Sequence, residues 1–158
     1  MAMKELHPPY EAGDIEILTS SISSMPPFPE VPAALGALKA LGFRLCVISN
    51  TDDDIISGNV AQLGGHVDRT ISAQQALAYK PSRCIFEHAY TQLGVSLDEV
   101  VHICASPHLD LAAARELGFR CIWVNRGTAR KPLPDYTPDA IVTNLTEAHE
   151  VIVAASWS

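Results

Sequence analysis

The sequence predicts an α/β fold built on a doubly wound parallel sheet. Three observations carry that prediction. Apolar runs of strand length, such as Phe43 to Ser49 and Phe119 to Val124, lack polar alternation, the pattern of strands buried on both faces. Segments with apolar residues at helical spacing lie between them. Glycines at 42, 64, 94 and 118 stop those segments. Strands alternating with helices imply right-handed crossovers and a three-layer arrangement.

Residues 1–24 are mixed and weakly patterned, and Pro26-Pro27-Phe28-Pro29 ends them. Val31, Ala34, Leu35, Leu38 and Leu41 then recur at helical spacing, with Pro32 tolerated in the first turn. After the strand at 43–49, Asp52 to Leu63 reads as a helix whose first-turn acids suit the macrodipole. Asp68 to Ser72 is a short strand leading into a helical turn. Ser82 to Leu93 is a helix, Val100 to Cys104 a strand, and Leu109 to Leu117 a helix. Phe119 to Val124 is a further strand. A loop rich in proline and basic residues, 126–138, precedes a last strand (140–143) and a last helix (146–155), which Asn144 or Thr146 caps.

Composition narrows the function. Hydrophobic residues make up 47% and charged residues 18% of 158, as in a folded domain with a sizeable core. A net charge of −7 argues against binding a nucleic-acid backbone. No apolar stretch approaches the roughly 18 residues of a membrane span, and the N-terminus has no signal-peptide core. A cytoplasmic location is expected. Cys46, Cys84, Cys104 and Cys121 match no zinc spacing and read as buried free thiols. His66, His88, His102 and His108 show no paired metal spacing; His108 alone falls near the candidate site.

In a doubly wound sheet, ligands sit outside the carboxyl ends of the strands. The polar residues there are Ser49, Asn50 and Thr51, then Lys80, then Ser106, His108 and Asp110, then Asn125 and Arg126. Hydroxyl, amide and backbone N–H donors at Ser49 and Asn50, before a helix N-terminus, suit a carboxylate or phosphate. Lys80 would add a full positive charge, and Asp110 could anchor it. Each also has a structural reading: Ser49, Asn50 and Asp110 as helix caps, Lys80 as a solvated loop lysine, Asp52 to Asp54 as a solvated first turn.

The ordered motifs PPFPEVPAALGALKALGFRLCVISN, AYKPSRCIFEHAYTQLG and VVHICASPHLDLAAARELGFRCIWVNRG together resemble the haloacid dehalogenase superfamily, in its type II 2-haloacid dehalogenase-like branch. The resemblance runs from about Pro27 to the C-terminus. It implies a Rossmann-like core over 27–158, with 1–26 a remnant of the cap and linker. It implies Ser49, Asn50 and Ser106 as substrate-binding residues and Lys80 and Asp110 as catalytic ones. The substrate class is a small anion such as a 2-haloacid.

The departures from the family pattern shape the remaining expectations. Its first motif, a strand ending in Asp-x-Asp-Gly-Thr or Asp-x-Tyr-Gly-Thr, supplies the nucleophile, and no such stretch occurs here. Asp52-Asp53-Asp54 opens a helix and lacks the Gly-Thr. The magnesium-binding acid of the family's phosphatases is replaced by Ala105, so no cofactor is expected and Mg²⁺ is disfavoured. The Ser and Asn of characterised dehalogenases read Ala105 and Pro107, and their aromatic hydroxyl reads Phe86. Without the first strand, the strands at 43–49 and 100–104 are expected to pair directly, or a homodimer to fill the gap. Ile15 to Leu18 is a candidate substitute strand. Two functions follow: a dehalogenase-like hydrolase inactive as this chain alone, or a non-catalytic anion-binding or oligomerising module.

Overall fold

The computed structural model describes residues 12–157. The part of the expected cap remnant before residue 12 lies outside the described residues. Five short parallel strands form two sheets. β1 (Cys46–Ser49) pairs with β2 (Arg69–Ser72), and β3 (Val101–Cys104), β4 (Arg120–Val124) and β5 (Ala140–Val142) pair in chain order. The helices are α1 (Ala12–Ser23), α2 (Val31–Ala40), α3 (Asp53–Ala61), the single turn α4 (Ala73–Ala76), α5 (Arg83–Leu93), α6 (Ala112–Leu117) and α7 (Leu145–Ala154). A wide π-type turn, Pro107–Leu111, runs into α6.

This is the doubly wound α/β arrangement expected, with two differences. Residues 12–23 are helical, so Ile15 to Leu18 is no strand. Asn59, on α3, donates through Nδ2 to the Ile22 carbonyl at 2.7 Å and fastens α1 down. Gly58 makes this close approach possible, because a Cβ there would lie 2.6 Å from the Ser23 carbonyl oxygen. The second difference is that β1 and β3 do not pair. They remain the inner edges of two sheets, with a cavity of about 580 Å³ between them.

The three layers follow from alternation along the strands. Cys121 and Trp123 of β4 point to one side, into a core with Ile71, Phe86, Tyr90 and Leu111. Ile122 and Val124 point to the other, where Leu38 of α2 and Ala148 and Ile152 of α7 cover them. Local chemistry places the helix ends. Asn144 Oδ1 accepts the Glu147 N–H at 2.9 Å at the start of α7. Asp68 accepts the Leu45 N–H at 2.7 Å and Lys39 Nζ at 2.7 Å, joining α2 to the amino ends of both strands of the first sheet. All four cysteines are free, but Cys84 is exposed rather than buried because it lies on the outer face of α5.

An aromatic group closes the core beneath the cavity. His102 stacks on Phe119 at 4.0 Å between centroids and meets Phe86 and Tyr90 edge-on. Its Nε2 lies 2.8 Å from the Tyr90 hydroxyl. Burial, with the Lys80 charge adding to it, pushes His102 from 6.5 down to about 4. The unfolded chain therefore binds this proton more readily, and the stabilisation present above pH 6.5 is lost as pH falls towards 4. Denaturant unfolding followed across that range should fall by up to about 3 kcal/mol from this group. His102→Gln should remove that part of the slope.

Candidate active site

The carboxyl ends of β1 and β3 meet at Lys80. On the β1 side, Asn50 uses its whole side-chain amide on the Lys80 backbone. Oδ1 accepts the Lys80 N–H at 2.6 Å, and Nδ2 donates to the Lys80 carbonyl at 3.0 Å. On the β3 side, Lys80 Nζ donates to Asp110 Oδ1 at 2.9 Å, with side chains only 14% and 10% exposed. The π-type turn sets Asp110 at that distance, its N–H bonding the Ser106 carbonyl at 2.9 Å. One hydrogen-bonded chain thus runs from Asn50 through Lys80 and Asp110 to the backbone of Ser106.

The structural readings of these residues are replaced. Asp52 is the N-cap residue of α3, so neither Ser49 nor Asn50 caps it. Asp110 lies inside its turn and binds lysine instead of capping a helix. Lys80 is largely buried and ion-paired. Lys80, Ser106 and Asp110 line the carboxyl end of the cavity. Ser49 stands beside Asn50 at the strand end, but its hydroxyl accepts from Thr51 Oγ1 at 2.9 Å and does not line the cavity. His108 is exposed on the outside of its turn.

Sequence reasoning missed the use of the basic loop. Arg126 pairs with Glu30 at 2.6 Å and lies 3.7 Å over the Phe28 ring, which draws Glu30 below the usual carboxylate range. Arg130 Nη1 donates to the Ala105 carbonyl at 2.7 Å and lines the cavity. The only signal in the sequence was the clustering of positive charge in the loop. Cys104 also borders the site. Its sulfur lies 3.4 Å from that of Cys121, and that contact together with burial raises Cys104 far above an ordinary thiol, so it is no thiolate nucleophile.

These groups can hold an anion, since Lys80 has two further ammonium donors and Arg130 stands nearby. They fit a divalent cation poorly. The acid at the turn is already neutralised by lysine, position 105 is alanine, and hard cations need several oxygen ligands. Among the described residues no group of three His, Cys, Asp or Glu side chains is placed to hold a metal ion. No described helix is long and apolar enough to cross a membrane.

Removing one partner of a buried ion pair leaves the other charged and unpaired. Asp110→Leu should therefore destabilise the fold by about 3 kcal/mol. Adding Lys80→Met should recover most of that loss in a double-mutant cycle read by denaturant unfolding. Asn50→Ala, which removes two hydrogen bonds, should cost about 2 kcal/mol by the same measurement.

Known proteins are similar to this chain. The family model described as haloacid dehalogenase-like hydrolase matches residues 7–118. Haloacetate dehalogenase H-2 of Moraxella sp. (strain B) is 34% identical over 141 residues, which are 84% of this chain and 62% of that protein. The (S)-2-haloacid dehalogenase of Pseudomonas sp. (strain YL) is 31% identical over 132 residues, 82% of this chain and 56% of that one. A dehalogenase crystal structure with an intermediate complex superposes with a TM-score of 0.82 at 25% identity, covering 95% of this chain and 67% of that one. The chain thus spans 62% and 56% of the length of these two curated relatives. With fold, strand-end motifs and similarity in agreement, this chain belongs to the haloacid dehalogenase-like hydrolase family, in its 2-haloacid dehalogenase-like branch.

Proposed function

We propose that this chain carries the substrate-binding and charge-stabilising part of a 2-haloacid dehalogenase, with the attacking carboxylate supplied by a segment outside it. The observation that carries the reading is the Asn50–Lys80–Asp110 chain at the carboxyl end of the open cavity. In this reading Lys80 binds the carboxylate of a small 2-haloacid. Backbone donors at Ser49 and Asn50 and the Ser106 hydroxyl complete the anion site. Asn50 and Asp110 are positioning residues, one fixing the lysine backbone and the other its ammonium. Residues 1–26 are the end of a cap and 27–158 the core.

In the reaction, a carboxylate oxygen attacks the carbon bearing the halogen. The carbon–halogen bond breaks and halide leaves with the bonding electrons. Water then adds to the carbonyl of the resulting ester, releasing the 2-hydroxyacid and restoring the carboxylate. Asp110 is a poor candidate for that attack, because Lys80 occupies one oxygen and the side chain is 10% exposed. The dehalogenase relatives favour a carbon–halogen substrate, and the single paired acid gives no support to a magnesium-dependent phosphatase.

Purified chain should bind 2-chloropropionate in a calorimetric titration without releasing halide. Lys80→Ala should weaken that binding by about ten-fold, the loss of one charged contact. Halide release by the chain alone, or binding that Lys80→Ala leaves unchanged, would overturn the proposal.

A further inference from the structure

The carboxyl end of the cavity carries two cations, and they are held in different ways. The Lys80 ammonium comes from the loop between α4 and α5 and is paired with Asp110 at 2.9 Å. The Arg130 guanidinium comes from the loop after β4 and lines the same cavity. Its partner is not an acid. Nη1 donates to the Ala105 carbonyl at 2.7 Å, and among the described residues Arg130 forms no ion pair. Arg83, Arg115 and Arg126, by contrast, each meet a carboxylate at 2.6 Å. Arg44 also lines the cavity, but it precedes β1 and stands at the amino end.

One bond to a neutral carbonyl leaves the Arg130 charge uncompensated and four of its five N–H donors free. A guanidinium in that state matches a planar carboxylate, which it can take with two parallel hydrogen bonds. The turn after β3 fixes the two cations relative to each other. Arg130 is tied to the carbonyl of Ala105, and Asp110, which holds Lys80, is tied through its N–H to the carbonyl of Ser106, the next residue. Ala105 has no polar side chain of its own to fill the place beside the guanidinium.

The two cations do not converge on one carboxylate. Such a group offers about four lone-pair sites on its two oxygens. At the proposed site Lys80, the Ser106 hydroxyl and the backbone donors at Ser49 and Asn50 already take them. The free fork of Arg130 therefore calls for a further acidic group on the same ligand.

We infer that Arg130 is a specificity-determining residue that receives a second carboxylate, so that the preferred ligand is a 2-halodicarboxylic acid spanning Lys80 and Arg130. The inference rests on the reading of Lys80 as the partner of the first carboxylate and adds the class of acid that binds there.

Calorimetric titration of the purified chain tests it with three ligands. These are 2-chlorosuccinate, 2-chloropropionate, and the half-amide of 2-chlorosuccinate whose carboxyl remote from the halogen is uncharged. 2-Chlorosuccinate should bind about ten-fold more tightly than either of the others, the gain of one charged contact. Arg130→Met should bring the ratio of 2-chlorosuccinate to 2-chloropropionate affinity to about one, and Arg130→Lys, which keeps the charge without the fork, should retain part of the preference. A merely structural role would weaken all three ligands alike and leave the ratio unchanged. That result would overturn the inference, as would equal binding of 2-chlorosuccinate and its half-amide by the unaltered chain, a comparison that needs no variant to fold. If 2-chloropropionate binding depends on Lys80 and 2-chlorosuccinate gains nothing over it, the inference alone fails. If neither acid binds, the proposed function fails with it.

Discussion

The buried contact between Lys80 and Asp110 is the constraint on which the site depends. The two sheets share no backbone hydrogen bonds, yet their carboxyl ends are tied within one lysine. Asn50 holds the backbone from the first sheet, and Asp110 holds the ammonium from the turn after β3. An ion pair this far from solvent contributes little net stability, because desolvation of both charges offsets most of their attraction. What it supplies is position: a cation directed to the place where a ligand on this fold sits.

Away from that point the sheets are kept together by helices. One core joins Ile71 of β2 to Phe86 and Tyr90 of α5 and to Trp123 of β4. The other seats Leu38 of α2 and Ile152 of α7 on Ile122 and Val142. Apolar burial of this kind is non-directional and scales with area. It can therefore hold two sheets in one sandwich without a continuous hydrogen-bond ladder. The cavity persists between layers that are otherwise well packed, and its edges carry polar backbone groups that apolar side chains cannot satisfy.

Much of the candidate site was legible in the sequence because strand ends are legible. Uninterrupted apolar runs mark the buried strands, and the first polar residues after them are the only ones that can face the ligand side. Lys80, Ser106 and Asp110 were found that way, and all three line the cavity. The role of Asn50 was not legible. Whether an amide faces a ligand or grips the lysine backbone depends on loop geometry that spacing does not encode. The partners of Arg126 and Arg130 were hidden for the same reason, since Glu30 and the Ala105 carbonyl are far away in the chain. The helix α1 was missed because its serines and its exposed Ile17, Leu18 and Ile22 give no clear apolar face.

By itself, the sequence determined the order of strands and helices, the parallel sense of the sheet, and the placing of one lysine among the polar residues that follow the strands. These follow from short-range periodicity, stop residues and charge. Only the tertiary structure decided that β1 and β3 stand apart, that Asn50 serves Lys80, and that a cavity opens between two apolar layers. Pairing and packing join residues dozens of positions apart, and their outcome depends on how all the layers fit at once, which no local pattern records.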